Sequence, residues 1–482
     1  MRLGRTTFLH FLSQVVISVA GFTSRFAIAF FLGQEILGQY SIAVGLGFYW
    51  LVIPGTAVGL AINKRVSEGV DQAEYWTAGL LTNVALAIGI VATVIGGAAS
   101  VRMFDIASDT AFGGVLTRST ALIAVLAVAA IAKQTIMSGL SGKKRVALVG
   151  GLNASERLLR TVLQIALILI GFRLTGLLIG HVASLVFVSV SAAVVFSERF
   201  ARPSRTHFAD LFDFGKYGWL SALQGRVYGW MDVLILSFFV SDGLIGIYEA
   251  AWGLASLLGA VSSSVRSTLF PEMSSLAVND EYGRIRHVLG EGVVFSGIFV
   301  IPGLVGAALV GERVLEIYRP SFGKGATILV VLVLAYAVDV YGSQFVSALN
   351  ALDRPELTYR INLGFIIVNV VLNILLIWQI SWVGAAIATF VSAGLRGMWS
   401  LFALCREIGR PDIPIAHLGY EVVAAVLMGV ILIPLAEVFP RTRLGTVVVV
   451  FSGAVVYVIL LLSMSSLVRR KMWGLVETTP RW

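Results

Sequence analysis

Charge is scarce in this chain. Of 482 residues only 13% are Asp, Glu, Lys or Arg, while 57% are hydrophobic. Soluble domains carry about 25% charged residues, so an ordinary water-facing surface is excluded. Cysteine is almost absent, and the single Cys405 excludes an internal disulfide. The five histidines, His10, His181, His207, His287 and His417, fall at no metal-ligand spacing. A phosphate-binding loop of the Gly-rich, Lys-Ser/Thr kind is missing, so no intrinsic ATPase is indicated. Extended hydrophilic stretches that could hold a nucleotide-sugar are missing too. Alternating ten-residue segments, the mark of a membrane β-barrel, are not seen.

What is present is long apolar sequence. Val300 to Val310, Ile366 to Ile377 and Val447 to Leu462 carry no charge. A helix needs roughly 20 apolar residues to cross the hydrocarbon core. The pattern predicts fourteen spans, near 9–32, 40–61, 77–100, 119–140, 147–171, 174–196, 216–240, 244–268, 288–310, 326–350, 357–379, 381–404, 416–438 and 444–467. The start, MRLGRTTFLHFLSQ, reads as the head of the first span rather than a cleaved leader. With a cytoplasmic N-terminus, 20 basic residues fall in cytoplasmic segments and 8, including Arg313, in external ones. Both termini are therefore expected to be cytoplasmic. The net charge of +9 is accounted for by these loops and points to no nucleic acid. Asn153-Ala-Ser155 sits at the cytoplasmic start of a span and is a chance glycosylation match.

The chain also repeats itself. At a shift of 208 residues, Phe30/Phe238, Phe31/Phe239, Gly38/Gly246, Tyr40/Tyr248, Ala43/Ala251, Gly45/Gly253 and Leu46/Leu254 are identical. Farther on, Ser138/Ser347, Leu140/Leu349 and Arg145/Arg354 match one residue out of step, and Gly176/Gly384, Ile179/Ile387 and Ser184/Ser392 return to it. Six spans separate equivalent points, so the halves share one orientation, as in a parallel repeat. The expected division is a six-helix lobe over 1–196, a cytoplasmic linker over 197–215, and a second six-helix lobe over 216–404. Two extra helices and a tail occupy 405–482.

The residues that stand out are charges inside spans. A charge at mid-bilayer costs several kcal/mol, so it usually faces protein or a watery cavity. Arg25 lies deep in the first span. Asp232 aligns beside it, at Ser24, in the seventh, and its short side chain cannot snorkel. Arg226 precedes Asp232 by six residues on a neighbouring face, so a pairing of Asp232 with Arg25 across the halves is open, as is a structural ion pair. Lys133 in the fourth span echoes Asp339 in the tenth. Arg157 and Arg160 share one face of the fifth. Arg360 and Arg396 lie toward the cytoplasmic ends of their spans, where snorkelling to lipid phosphate is expected. Pro54-Gly55 and Pro302-Gly303 are candidate kinks.

Three stretches carry a resemblance. RFAIAFFLGQEILGQYSIA (25–43) resembles the first-helix signature of polysaccharide export proteins. MDVLILSFFVSDGLIGIY (231–248) is similar to the family's seventh span, with Asp232 where an acid is common. NLGFIIVNVVLNILLIWQISWVGAAIATFVSAGLR (362–396) resembles the C-terminal signature. The family is the oligosaccharide flippases of the multidrug/oligosaccharidyl-lipid/polysaccharide exporter superfamily. The resemblance implies an all-α polytopic membrane protein, two lobes about a central cavity, and alternating access. It implies a sugar on a polyprenyl phosphate or diphosphate as cargo in the cytoplasmic membrane, no enzyme activity and no cofactor. A monomer is expected. Arg25, Lys133, Arg157 and Arg226 would receive the anionic headgroup, and Asp232 or Asp339 a coupling proton or sodium ion. A cation-driven multidrug exporter and a lipid II flippase are the alternatives within the superfamily. A membrane glycan polymerase or ligase is a more distant one, since the longest external loops, Val101 to Thr117 and Gly311 to Gly325, are short.

Overall fold

The computed structural model describes residues 2–196 and 199–470. Ser197 and Glu198 of the expected linker, and the tail with Lys471 and Arg481, lie outside the described residues. Lipid cannot hydrogen-bond to a peptide group, so each span must satisfy its own backbone, and helix is the open-ended solution. The described residues accordingly form helices joined by short turns.

The chain makes two compact units, Met1–Glu249 and Ala250–Trp482. The first holds α1 (Arg2–Leu32), α2 (Gln34–Val44), a π-helical turn (Gly45–Trp50), α3 (Ile53–Glu68), α4 (Gln72–Phe104), α5 (Ala111–Arg118), α6 (Thr120–Gly142), α7 (Val146–Leu169), α8 (Leu174–Val195) and α9 (Arg205–Phe239). Within it α1 packs along α7, α7 on α8, and α6 against α3, α4 and α8. The boundary falls inside α10 (Asp242–Leu258). The second unit continues with α11 (Ala260–Val278), α12 (Tyr282–Gly297), α13 (Val300–Leu315), α14 (Ala326–Ala351), α15 (Pro355–Ile380), α16 (Trp382–Ile408), α17 (Ile415–Val438) and α18 (Arg443–Met464). There α16 lies between α14 and α15, and the α17–α18 hairpin leans on α13.

Among the described residues, nine helices are long and apolar enough to cross a membrane, and eleven if each of two bent pairs counts once. The expected count of fourteen spans is not reached by this measure. One helix that falls short is α7, which carries Glu156, Arg157 and Arg160 within five positions. Outward faces are apolar: Val194, Val438 and Phe451 are 81%, 78% and 69% exposed. Water would not tolerate such a surface; lipid does.

By contacts the chain divides later than the expected 197–215 connection. The reason lies in α9, whose Leu211 is buried in one cluster with Ile62, Val66 and Trp76. Near Pro54, the segments Gln34–Trp50 and Ile53–Glu68 meet at 41°. Proline has no N–H to extend a preceding helix, so the bend falls before it, and the π turn absorbs the register change. A break between α12 and α13 likewise precedes Pro302.

Two close helix crossings depend on glycine. A Cβ on Gly38 would collide with the carbonyl oxygen of Asp242, and one on Gly246 with that of Gln34. These pairs, Gly38/Gly246 and Gln34/Asp242, are separated by the same 208 residues, so the contact is reciprocal. In the second unit a Cβ on Gly342 would come within 2.8 Å of the Gly397 Cα, which brings α14 against α16.

Arg313, expected in an external loop, ends α13 and is only 6% exposed. Its guanidinium donates to Thr446 Oγ1 (2.9 Å) and to the carbonyls of Ala436 (2.8 Å) and Pro440 (2.5 Å). It thereby satisfies backbone acceptors at the end of α17, which helix geometry leaves open, and ties the last hairpin to α13.

A buried polar network beside a cationic pocket

The first unit encloses a chain of polar side chains contributed by five helices. Lys133 on α6 faces Glu156 on α7, with Nζ 3.3 Å from Oε2. Arg160, one turn along α7, places Nε 3.4 Å from the other carboxylate oxygen. The spacing of four residues puts Glu156 and Arg160 on one helix face. Arg160 Nη1 then lies 2.5 Å from His181 Nε2 on α8. A guanidinium can only donate, so Nε2 accepts and the ring proton belongs on Nδ1. That nitrogen is 3.2 Å from the Tyr40 hydroxyl. Gln164 Nε2 donates to the same hydroxyl (2.8 Å) and to the Leu177 carbonyl (3.0 Å), while its Oε1 accepts from Ser24 (2.6 Å) on α1. Lys133 and Arg160 share one carboxylate, so the cluster keeps a net positive charge.

Next to Lys133 opens a pocket of about 280 Å³, lined by Thr56, Asn63, Lys133, Gln134, Asn153 and Arg226 among others. Arg226 reaches it from α9. Its guanidinium donates to the Tyr49 carbonyl and to Thr56 Oγ1 (3.1 Å). It sits over the Tyr49 ring at 5.6 Å, and that ring stacks on Trp230 with centroids 4.0 Å apart. Stacking and neutral acceptors hold the group flat without cancelling its charge. Among the described residues, no carboxylate lies within ion-pair distance of Arg226. The pocket therefore offers two cations from different helices to an anion.

The other candidate residues are placed as follows. Arg25 places its Nε 3.1 Å from Glu249 Oε1, with the arginine side chain 31% and the glutamate 3% exposed. Asp232 accepts a hydrogen bond from Tyr248. Arg157 lies across Gly21 of α1, where an added Cβ would come within 2.6 Å of Nη2. In the second unit Asp339 pairs with Arg396 at 2.9 Å. Arg396 is thus 9% exposed and braced by Asn362 Oδ1 at 3.3 Å, rather than snorkelling to lipid. Three methylenes of stem give it reach, but an acid one helix away outcompetes the interface. Asp339 also lines a pocket of about 250 Å³ with Arg266 and Tyr336.

Glu156, Glu249, His181 and Gln164 were missed by the reading of the sequence. Glu156 and Glu249 carried a signal, because each is an acid inside an apolar span and acids are as costly there as bases. His181 and Gln164 carried none, since their roles come only from what surrounds them. Among the described residues, no group of three or more His, Cys, Asp or Glu could hold a metal ion.

Solved structures share this fold. A lipid II flippase, MurJ, in an inward closed conformation superposes with a TM-score of 0.78 over 94% of this chain and 98% of that one, at 14% identity. An inward-facing multidrug resistance transporter of the MATE family gives 0.65 over 81% and 95%, at 13% identity. Sequence narrows the class. Residues 3–277 match the polysaccharide biosynthesis protein family, and the chain belongs to it. A probable flippase of Haloferax volcanii, AglR, is 30% identical over 99% of both chains. A probable low-salt glycan biosynthesis flippase of the same organism is 26% identical over 75% of this chain and 73% of its own.

Proposed function

We propose that this protein is a flippase that carries a lipid-linked oligosaccharide, on a polyprenyl phosphate or diphosphate, across the cytoplasmic membrane by alternating access. The relatives that match along their length are named as flippases, one of them in glycan biosynthesis. The observation that carries the reading is the cationic pocket itself: Lys133 and Arg226 face one polar space, and Arg226 has no acid set against it among the described residues. A phosphate is the natural occupant, because a guanidinium can bind it through two parallel hydrogen bonds. At about 30 Å³ per water, 280 Å³ holds about nine waters. That suits a phosphate or diphosphate with its hydration, and a glycan requires the site to widen during the cycle.

A cationic drug fits less well. Several acids inside the spans already have partners: Glu156 has Lys133 and Arg160, Glu249 has Arg25, and Asp339 has Arg396. Asp232 has the Tyr248 hydroxyl. Catalysis of glycan transfer is disfavoured by the same accounting, since the buried side chains brace one another.

The division into lobes 1–196 and 216–404 with an extra pair over 405–482, cytoplasmic termini and a monomeric state belong to the same proposal. So does a supporting role for Arg25 and Arg157 in holding the headgroup, and for Asp232 or Asp339 in ion coupling. The test is genetic and chemical together. In a host whose own flippase is deleted, Arg226→Ala should restore membrane insertion but not surface glycan, and lipid-linked glycan should accumulate on the cytoplasmic leaflet. Normal surface glycan from this variant would refute the reading.

A further inference from the structure

Glu421 lies six residues into α17, about 9 Å from the start of the helix, and its exposure is 0%. Among the described residues, neither carboxyl oxygen has a hydrogen-bond partner. Three other helices meet it. From α12 comes Gly297, where an added Cβ would fall within 2.5 Å of both Glu421 Oε2 and the Tyr341 hydroxyl. From α14 comes Tyr341 itself. From α18 comes Tyr457, whose hydroxyl is also buried and unpartnered. Among the described residues, the titratable groups that interact with the carboxyl are these two phenols, and no lysine, arginine or histidine acts on it. His417, one turn back on α17, is engaged with Ser465 Oγ at 3.0 Å.

An ionised carboxylate in such a place costs several kcal/mol with nothing to repay it. Glu156 and Glu249 meet this cost with a lysine or arginine, and Asp232 accepts from a tyrosine hydroxyl; Glu421 has neither among the described residues. A metal ion would need several oxygen ligands, and one carboxyl and two phenols supply too few. A proton removes the charge at no steric cost, and Glu421 Oε2 and the Tyr341 hydroxyl both border the space over Gly297.

We propose that Glu421 is a proton-binding site of the second unit: it holds a proton while α17 is packed against α12 and releases it when that packing opens. Release breaks the carboxyl O–H bond, leaves a carboxylate, and passes the proton to water admitted by the opening. The acid lies on α17, in the last helix pair. Its use during transport rests on the flippase reading, but the site itself does not.

The test uses the full-length protein in lipid. Infrared difference spectra at neutral pH should contain a carboxylic C=O band that is absent from Glu421→Gln, whose amide keeps the shape without the charge. Hydrogen exchange of the α17 amides, corrected for its intrinsic base catalysis, supplies the second measurement. An opening that releases one proton becomes up to about tenfold more favourable per pH unit, so exchange should rise up to about a hundredfold from about pH 6 to about pH 8. Glu421→Gln should be flat over that range. The proposal is overturned if the band is missing because the group ionises at the ordinary Glu value of about 4.3, if the band responds to sodium rather than pH, or if wild type and Glu421→Gln show the same slope. None of these readouts involves glycan, so they stand or fall separately from the transport assay.

Discussion

Glu156 holds two cations that are otherwise stranded in the first unit, and removing it should be costly. At 3.3 Å and an effective dielectric of about 20, its attraction to Lys133 is about 5 kcal/mol. Arg160 at 3.4 Å adds a similar amount. Most of that gross attraction is offset by desolvation of the three groups, whose side chains are only 13%, 6% and 5% exposed. Deleting one member leaves the desolvation cost and removes the attraction, and such deletions cost about 3–5 kcal/mol. Glu156→Ala should therefore lose that much resistance to denaturation by SDS in mixed micelles. Glu156→Gln should fall near the lower end, because its carbonyl can still accept from Arg160. The double variant Lys133→Met with Glu156→Gln should recover at least about 1 kcal/mol, since it removes one cation along with the anion. If Glu156→Gln stays within about 0.5 kcal/mol of wild type, or the double variant recovers nothing, the carboxylate is not holding the cluster together.

Arg25→Ala and Asp232→Ala should each abolish delivery of lipid-linked glycan to the outer face while the protein still inserts, as read by surface glycan staining beside membrane immunoblotting. Arg226→Lys should lower delivery by about tenfold, because a lysine keeps the charge but loses the flat, two-pronged contact, a loss of about 1.4 kcal/mol. Gly38→Val should destabilise by about 1–3 kcal/mol, as overpacking does, because the obstructing atom is a backbone carbonyl that cannot rotate away; Gly89→Val, which meets nothing within 4 Å, is the control. Arg313→Met should loosen the α17–α18 hairpin and raise its hydrogen exchange, since two carbonyls and a hydroxyl lose their donor together.

The all-α membrane class came from sequence alone. Long apolar runs leave the backbone one way to satisfy itself in lipid, and the basic residues between them are short-range signals of topology. The sequence also marked Arg25, Lys133, Arg157, Arg226, Asp232 and Asp339 as charges needing an explanation, because burial of charge is costly whatever the fold. It could not say how each cost is met. Lys133 meets Glu156 at a separation of 23 residues, Arg396 meets Asp339 at 57, and Arg25 meets Glu249 at 224. Ion pairs act over a few ångströms and carry no memory of distance along the chain, so only tertiary packing assigned the partners. Among the described residues the same packing sets no acid against Arg226, which faces a pocket, and no base against Glu421, which faces two phenols. Composition reveals neither, because both follow from what tertiary packing brings near.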